Sequence, residues 1–181
     1  FRFLQTAAGD IVSNISATND WVLSNIKTGE KRKYVAYMLS RSAAYSLLHH
    51  EAKDLRNRNF LKQVVYCQIN SGIAMALAGT SRPCSGSEHL LSHAIDFTSL
   101  SENTLHGLQV GSISIFCLYL QNKLDAKCLN YAYELGIPYA FDSLDNKIYN
   151  QLQHIYETAL TMRPGRFTLL DLIKGKPFNE I

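Results

Sequence analysis

The stretch Phe60-Leu61-Lys62-Gln63-Val64-Val65-Tyr66-Cys67-Gln68-Ile69-Asn70-Ser71-Gly72-Ile73-Ala74-Met75-Ala76-Leu77-Ala78-Gly79 decides the fold class. It has the length of a membrane span, but Lys62, Gln63, Gln68, Asn70 and Ser71 interrupt it, so it reads as a buried core helix. Outward from it, apolar residues recur at helical spacing: Ile11, Ile15, Trp21 and Val22 near the start, then Tyr34, Met38, Leu39, Ala43 and Leu47, then Ile73, Met75 and Ala76. Strand-like alternation is scarce. The pattern predicts helices over residues 3–26, 31–56, 59–79, 86–97, 103–122, 125–135, 143–161 and 168–174, separated by breakers at Gly29, Gly79, Gly136-Ile137-Pro138 and Pro164-Gly165. The expectation is one all-α domain over residues 1–181. With no strand, glycine-rich turn and helix in succession, the chain has no dinucleotide cradle of its own.

At 181 residues and 46% hydrophobic, the chain can bury a sizeable core, which argues against disorder. A net charge of +3 with scattered basic residues argues against a nucleic-acid surface, and the runs Lys31-Arg32-Lys33 and Arg56-Asn57-Arg58 read as solvated helix faces. Cys67, Cys84, Cys117 and Cys128 lack C-x-x-C spacing and sit among apolar neighbours, which suits reduced, buried thiols and a cytoplasmic location. No signal peptide is evident. A first residue of Phe in place of Met implies a processed or truncated terminus, or a piece of a longer product. Apolar residues on many helices leave room for a homo-oligomer.

Asp10, His89 and His106 read as three protein ligands of one catalytic metal. A mixed Asp/His/His set leaves an open position for water or substrate, as catalytic zinc sites do. Ser85 and Glu88 have capping-box spacing, so a helix should start near Gly86, with His89 in its first turn and His93 one turn on. Two serines and a glycine at that terminus, with Arg82 nearby, offer N–H groups, hydroxyls and a guanidinium to an anion. Asn103 is the expected N-cap of the helix carrying His106, and Gly107 removes a side chain where a backbone or ligand must approach. Each segment has a plainer reading: a capped helix with two surface histidines, and for Asp10 a carboxylate complementing a helix dipole. The argument for a metal rests on all three residues together. His49-His50 and His154 read as surface side chains, Tyr119, Tyr131 and Tyr133 as core or interface aromatics, and Arg163 and Arg166 as a turn that pins the last helix.

The segments Gly9-Asp10-Ile11-Val12-Ser13-Asn14, Ser81-Arg82-Pro83-Cys84-Ser85-Gly86-Ser87-Glu88-His89 with Ser92-His93-Ala94-Ile95-Asp96, Leu105-His106-Gly107-Leu108-Gln109-Val110-Gly111 and Arg163-Pro164-Gly165-Arg166-Phe167-Thr168 together resemble the sn-glycerol-1-phosphate dehydrogenase family. The match runs from about residue 1 to 174 and is to the carboxy-terminal domain. The family belongs with iron-containing alcohol dehydrogenases, glycerol dehydrogenase and dehydroquinate synthase. The resemblance implies the multi-helical dehydroquinate synthase-like fold, with Asp10, His89 and His106 as metal ligands. Iron-dependent relatives carry a further histidine where this chain has Asn14, so zinc is implied over iron or nickel. Cys84 stands where alanine is more usual, a thiol near the metal that oxidation can reach.

The implied activity is reduction of dihydroxyacetone phosphate by NADH or NADPH. Arg82, Ser85 and Ser87 would position the substrate, and His93 would relay a proton or orient a water. Nicotinamide binding would fall to an amino-terminal nucleotide-binding domain outside this chain, so the chain alone would keep zinc but transfer hydride weakly or not at all. The alternatives are a non-catalytic helical zinc-binding or scaffolding module, and a related polyol or alcohol dehydrogenase domain.

Overall fold

The computed structural model describes residues 2–100, 104–138 and 145–180, among which no strand occurs. Ten helices follow one another: α1 Arg2–Val12, α2 Asn14–Thr28, α3 Tyr34–Leu48, α4 Arg58–Ala78, α5 Ser87–Phe97, α6 His106–Leu120, α7 Ala126–Leu135, α8 Asn146–Tyr149, α9 Leu152–Ala159 and α10 Leu169–Leu172. The chain is all-helical, as its periodicity predicts, but several boundaries are corrected. The single helix expected over residues 3–26 breaks at Ser13, whose hydroxyl donates to the Asp10 carbonyl at 2.6 Å. A serine bonding back to the preceding turn bends a helix, and here it sets α2 off from α1 just beyond Asp10. The helix expected over 31–56 stops at Leu48, so Arg56 and the Lys31–Lys33 run lie on connections and not on helix faces. Asn57 caps α4 through its side-chain oxygen, which accepts from Asn59 and Phe60 N–H. The helix expected over 143–161 is divided at Asn150-Gln151, and residues 143 and 144 lie outside the described residues.

Two apolar clusters form the core. One gathers Ala8, Ile11, Leu47, Phe60, Val64, Leu118 and Tyr131 from α1, α3, α4, α6 and α7; the other gathers Leu91, Ile95, Ile113, Ile155 and Leu170 from α5, α6, α9 and α10. Helix α6 contributes to both, giving Ile115 and Leu118 to the first and Ile113 and Cys117 to the second. That position between clusters explains why α6 is buried nearly all round and lacks a polar stripe. Helix α4, expected to be wholly buried, buries Phe60, Val64, Cys67, Ser71 and Ala74 but exposes Val65, Tyr66, Ile69, Ile73 and Leu77 on its outer side. Tyr131 is core, its hydroxyl donating to Ala8 O, whereas Tyr119 and Tyr133 are exposed. All four cysteines are buried and unpaired.

Helix α1 crosses α6 in backbone contact. A Cβ on Gly9 would lie 2.5 Å from Gly107 O, one on Gly107 would lie 2.2 Å from Thr6 O, and one on Gly111 would lie 2.9 Å from Gly9 Cα. Three glycines therefore let the two backbones meet, and Asp10 and His106 are the residues immediately beside that crossing.

Candidate metal centre

The last turn of α1, the first turn of α5 and the start of α6 converge. They bring one ligand atom each from Asp10, His89 and His106 within 4.8 Å of one another. His89 Nε2 lies 3.4 Å from Asp10 Oδ1, and the His89 and His106 ring centroids are 5.4 Å apart. The three sequence candidates thus meet, and Asp10 and His89 line a cavity of about 340 Å³ together with Gln68, Gly72, Met75, Ser85, His93 and Arg163.

Their partners fix which nitrogens face inward. Glu88 Oε1 lies 3.0 Å from His89 Nδ1, and since a carboxylate only accepts, Nδ1 carries hydrogen and Nε2 faces Asp10. The Ser92 hydroxyl donates to Gln109 Oε1 at 2.6 Å, so its oxygen is left to accept from His106 Nδ1 at 3.0 Å. Gln109 is itself held by its amide, which donates to Thr104 Oγ1 at 2.6 Å. Nε2 of His106 is then the free lone pair. Carboxylate or hydroxyl partners behind ligand imidazoles are the usual orienting device of metal sites.

The residues fit a divalent ion of the zinc type: two imidazoles and one carboxylate, with a ligand position to spare. Asn14, in the cavity wall, donates through Nδ2 to Ser71 Oγ at 2.8 Å and Ser40 O at 3.4 Å, so its amide nitrogen is turned to the interior. A second grouping of His93, Asp96 and His106 is equally close. It shares His106, whose Nδ1 already faces Ser92 and lies 3.8 Å from Asp96 Oδ2.

Electrostatics follow burial and neighbours. Burial alone would raise the Asp10 carboxyl, but the His89 hydrogen bond, the charges of His89 and His106 and a Gln68 hydrogen bond lower it overall. Burial disfavours charge on His89, yet hydrogen bonds to Asp10 and Glu88 and their charges raise it to about 9. Burial and the His89 charge lower His93 and His106. Burial pushes the Cys84 thiol up to about 11, so beside Ser40 and Ser71 it stays a thiol at neutral pH, which makes it a poor nucleophile.

The α5 terminus differs from its expected form. Gly86 and not Ser85 is the N-cap residue, and its N–H donates to Glu88 Oε1 at 2.6 Å. The Ser87 N–H and hydroxyl both donate to Asp20 Oδ2, at 2.6 and 2.5 Å, leaving these groups engaged by the protein's own carboxylates. Asp20, fully buried, also accepts from Leu169 N at 3.1 Å and Gln121 Nε2 at 3.1 Å, tying α2, α5, α6 and α10 together. Ser85 lines the cavity, while its carbonyl and hydroxyl oxygens accept from Arg166 at 3.0 and 3.2 Å. Arg82 is buried away from the cavity of the histidines and holds Glu30 in a two-pronged pair. His93 lies in the cavity wall with its ring stacked on His106, centroids 5.5 Å apart. The expected cap Asn103 lies outside the described residues, and α6 begins at His106 itself.

Sequence reasoning gave no role at the site to Gln68, Ser92, Asp96 or Gln109, and read Arg163 only as part of a turn. Ser92 and Gln109 each sit three residues after a ligand histidine, on the same helical face, and that spacing was the available signal.

Fold and site define an all-helical domain carrying a three-ligand candidate metal centre. No protein-family model matches the chain. Among curated proteins, it is 38% identical over 179 residues to the glycerol-1-phosphate dehydrogenase, NAD(P)+, of Pyrococcus horikoshii, a match covering 93% of this chain and 49% of that protein. The proteins of the same name from Nitrosopumilus maritimus and Methanosarcina barkeri are each 34% identical, over 169 and 174 residues, covering 93% and 94% of this chain and 47% and 48% of those proteins. The chain belongs to the glycerol-1-phosphate dehydrogenase family, an oxidoreductase family, and spans about half the length of the curated relatives it matches.

Proposed function

We propose that this chain is the metal-binding half of an NAD(P)-dependent reductase that converts dihydroxyacetone phosphate to sn-glycerol 1-phosphate, with a nucleotide-binding domain supplying the nicotinamide. The observation that carries the reading is the convergence of Asp10, His89 and His106, one ligand atom of each within 4.8 Å of the others. The names of the matched relatives support the substrate and cofactor.

Asp10, His89 and His106 would hold zinc, while Glu88 and Ser92 fix the two rings in the binding tautomer. When bound, zinc polarises the ketone oxygen and stabilises the negative charge that develops there as hydride arrives at carbon. His93, held near neutrality by burial and the neighbouring rings, stands in the cavity wall to pass a proton to that oxygen. Ser85 faces the same cavity and positions the substrate, whereas Ser87 acts through Asp20 to fix the start of α5. No helix among the described residues is long and apolar enough to cross a membrane.

Elemental analysis of the purified chain beside Asp10→Ala and His106→Ala tests the reading. It requires about one zinc per chain, lost in both variants. It also requires NAD(P)H oxidation with dihydroxyacetone phosphate once the nucleotide-binding domain is supplied. A folded chain that takes up no zinc would refute it.

A further inference from the structure

Next to the metal cavity lies a second one of about 330 Å³, lined by Glu30, Thr80, Arg82, Arg163, Pro164, Gly165 and Arg166. Three guanidinium groups face a single carboxylate. Arg82 pairs with Glu30 through Nε at 3.0 Å and Nη2 at 2.5 Å, but its Nη1 is buried with no acceptor. Arg166 donates to Ser81 and Ser85 on the near side, and the Arg163 guanidinium makes no hydrogen bond or ion pair among the described residues. The turn between the two arginines is closed by Arg166 N–H to Arg163 O at 3.1 Å, with Gly165 at φ 81°. Pro then Gly at the centre of such a turn is the type II signature, which holds both arginines beside Arg82.

We infer that this cavity is an oxyanion site for a phosphate group, built by Arg82, Arg163 and Arg166 and sharing Arg163 with the cavity lined by Asp10 and His89. Two positive charges in excess of Glu30 match a phosphate dianion, and planar guanidinium forks suit its oxygens. Burial first, then the charges of Arg82 and Arg163, lower Arg166 below its usual value. A bound dianion relieves that repulsion and gives the unsatisfied N–H of Arg82 an acceptor. The start of α5, the other natural place for a phosphate, already has its first N–H groups engaged by Asp20 and Glu88. Arg163 lines both cavities, so a phosphate held here points the rest of a short phosphorylated ketone toward Asp10, His89 and His106. That direction rests on the proposed function; the anion site itself does not.

The test is a phosphorus-31 NMR titration of inorganic phosphate with the chelator-treated chain, then with Arg163→Met and Arg163→Lys. Arg163 is exposed, so its loss should leave the melting temperature unchanged. Millimolar or tighter binding by the metal-free chain, weakened at least tenfold in Arg163→Met and partly restored in Arg163→Lys, is the expected result. No binding without metal, or equal binding by Arg163→Met, overturns the site. A second arm compares dihydroxyacetone phosphate with inorganic phosphate on the zinc-loaded chain. Tighter binding of the ketone, with the advantage lost in Asp10→Ala, assigns the site to the substrate's own phosphate. Equal affinities insensitive to Asp10→Ala overturn that assignment and leave a free phosphate as the ligand. Failure of zinc binding alongside intact phosphate binding would sink the metal reading and not this one.

Discussion

Replacing Gly107 by alanine should dismantle the metal centre without touching a ligand. The new Cβ would lie 2.2 Å from Thr6 O and 2.8 Å from Thr6 C, both backbone atoms that no rotamer change can withdraw. Reaching tolerable contact demands that α1 and α6 part by roughly 1 Å. Asp10 lies one helical turn beyond Thr6 and His106 adjoins the substituted residue, so the separation falls between two ligands. Metal sites tolerate about 0.2 Å in ligand distance, and the expected loss of zinc affinity is at least about tenfold, the lower bound for disturbing the residues behind a ligand. Alanine favours a helix over glycine by about 1 kcal/mol, while overpacking costs about 1–3 kcal/mol. The net is a destabilisation of up to about 2 kcal/mol, or a melting temperature lower by up to about 8 °C in a chain of this size. Gly72→Ala supplies the opposite case: its Cβ meets nothing within 4 Å, so the helix preference acts unopposed and the melting temperature should rise. Competition against a chromophoric chelator and thermal melts measure both quantities. Should Gly107→Ala bind zinc as the parent does and melt no lower, the claim that backbone contact sets the ligand geometry is wrong.

Without metal, His89 titrates near 9 against an ordinary 6.5, so its contribution to stability is complete below about 6.5 and disappears as pH rises through about 9. Zinc must displace that proton, and titrations should show apparent affinity climbing by up to about tenfold per pH unit across the same window, with proton release in calorimetry; a flat profile contradicts the assigned hydrogen bonds. Ser92→Ala removes the acceptor for His106 Nδ1, and zinc affinity should drop about 10- to 100-fold with little change in far-ultraviolet circular dichroism. Asp20→Asn sets an amide nitrogen among the four donors that converge on that carboxylate and should cost about 2–3 kcal/mol in urea unfolding. Burial and the Glu88 charge raise Asp20 from 3.8 to about 6, so the parent chain should lose stability as pH rises between those values and the variant should lack that segment. Chelator treatment should lower the melting temperature, since zinc at a hundred times its dissociation constant contributes about 2.7 kcal/mol.

The helical class and the convergence of Asp10, His89 and His106 were legible because each depends on local order: apolar spacing for the helices, and a residue of metal-binding type near a helix end for each of the three candidates. Boundaries failed where a side chain competed with the backbone. Ser13 breaks the first helix through its bond to Asp10 O, and nothing in the apolar period of Ile11 and Ile15 signals that. The S-x-x-E spacing located the start of α5 to within a residue, and Glu88 does reach back to the N-cap N–H, but the cap is Gly86 and not Ser85, and the carboxylate that takes Ser87 is Asp20, 67 residues away in sequence. Gly9, Gly107 and Gly111 were visible as small residues. That the first two face each other across a helix crossing is a fact of tertiary packing, as is the meeting of Arg82 with Arg163 and Arg166.

The buried carboxylates make the candidate centre an electrostatically favourable place for a cation. Glu88 and Asp20 are wholly buried, and Asp10 stands at the open edge of the same region. Each inner carboxylate is saturated with donors: Gly86 N–H, Ser16 hydroxyl and His89 for Glu88, and four groups for Asp20. Saturation makes their burial tolerable but does not remove their mutual repulsion, which is part of what raises Asp20. His93 and His106 are held toward neutrality, so among these groups the His89 proton is the positive charge that answers them. A divalent ion at the meeting point of Asp10, His89 and His106 replaces that single proton with a larger charge. The two carboxylates that accept from His89 and hold its proton, Glu88 at Nδ1 and Asp10 at Nε2, are therefore the same groups that would orient the ring and supply negative charge to a metal.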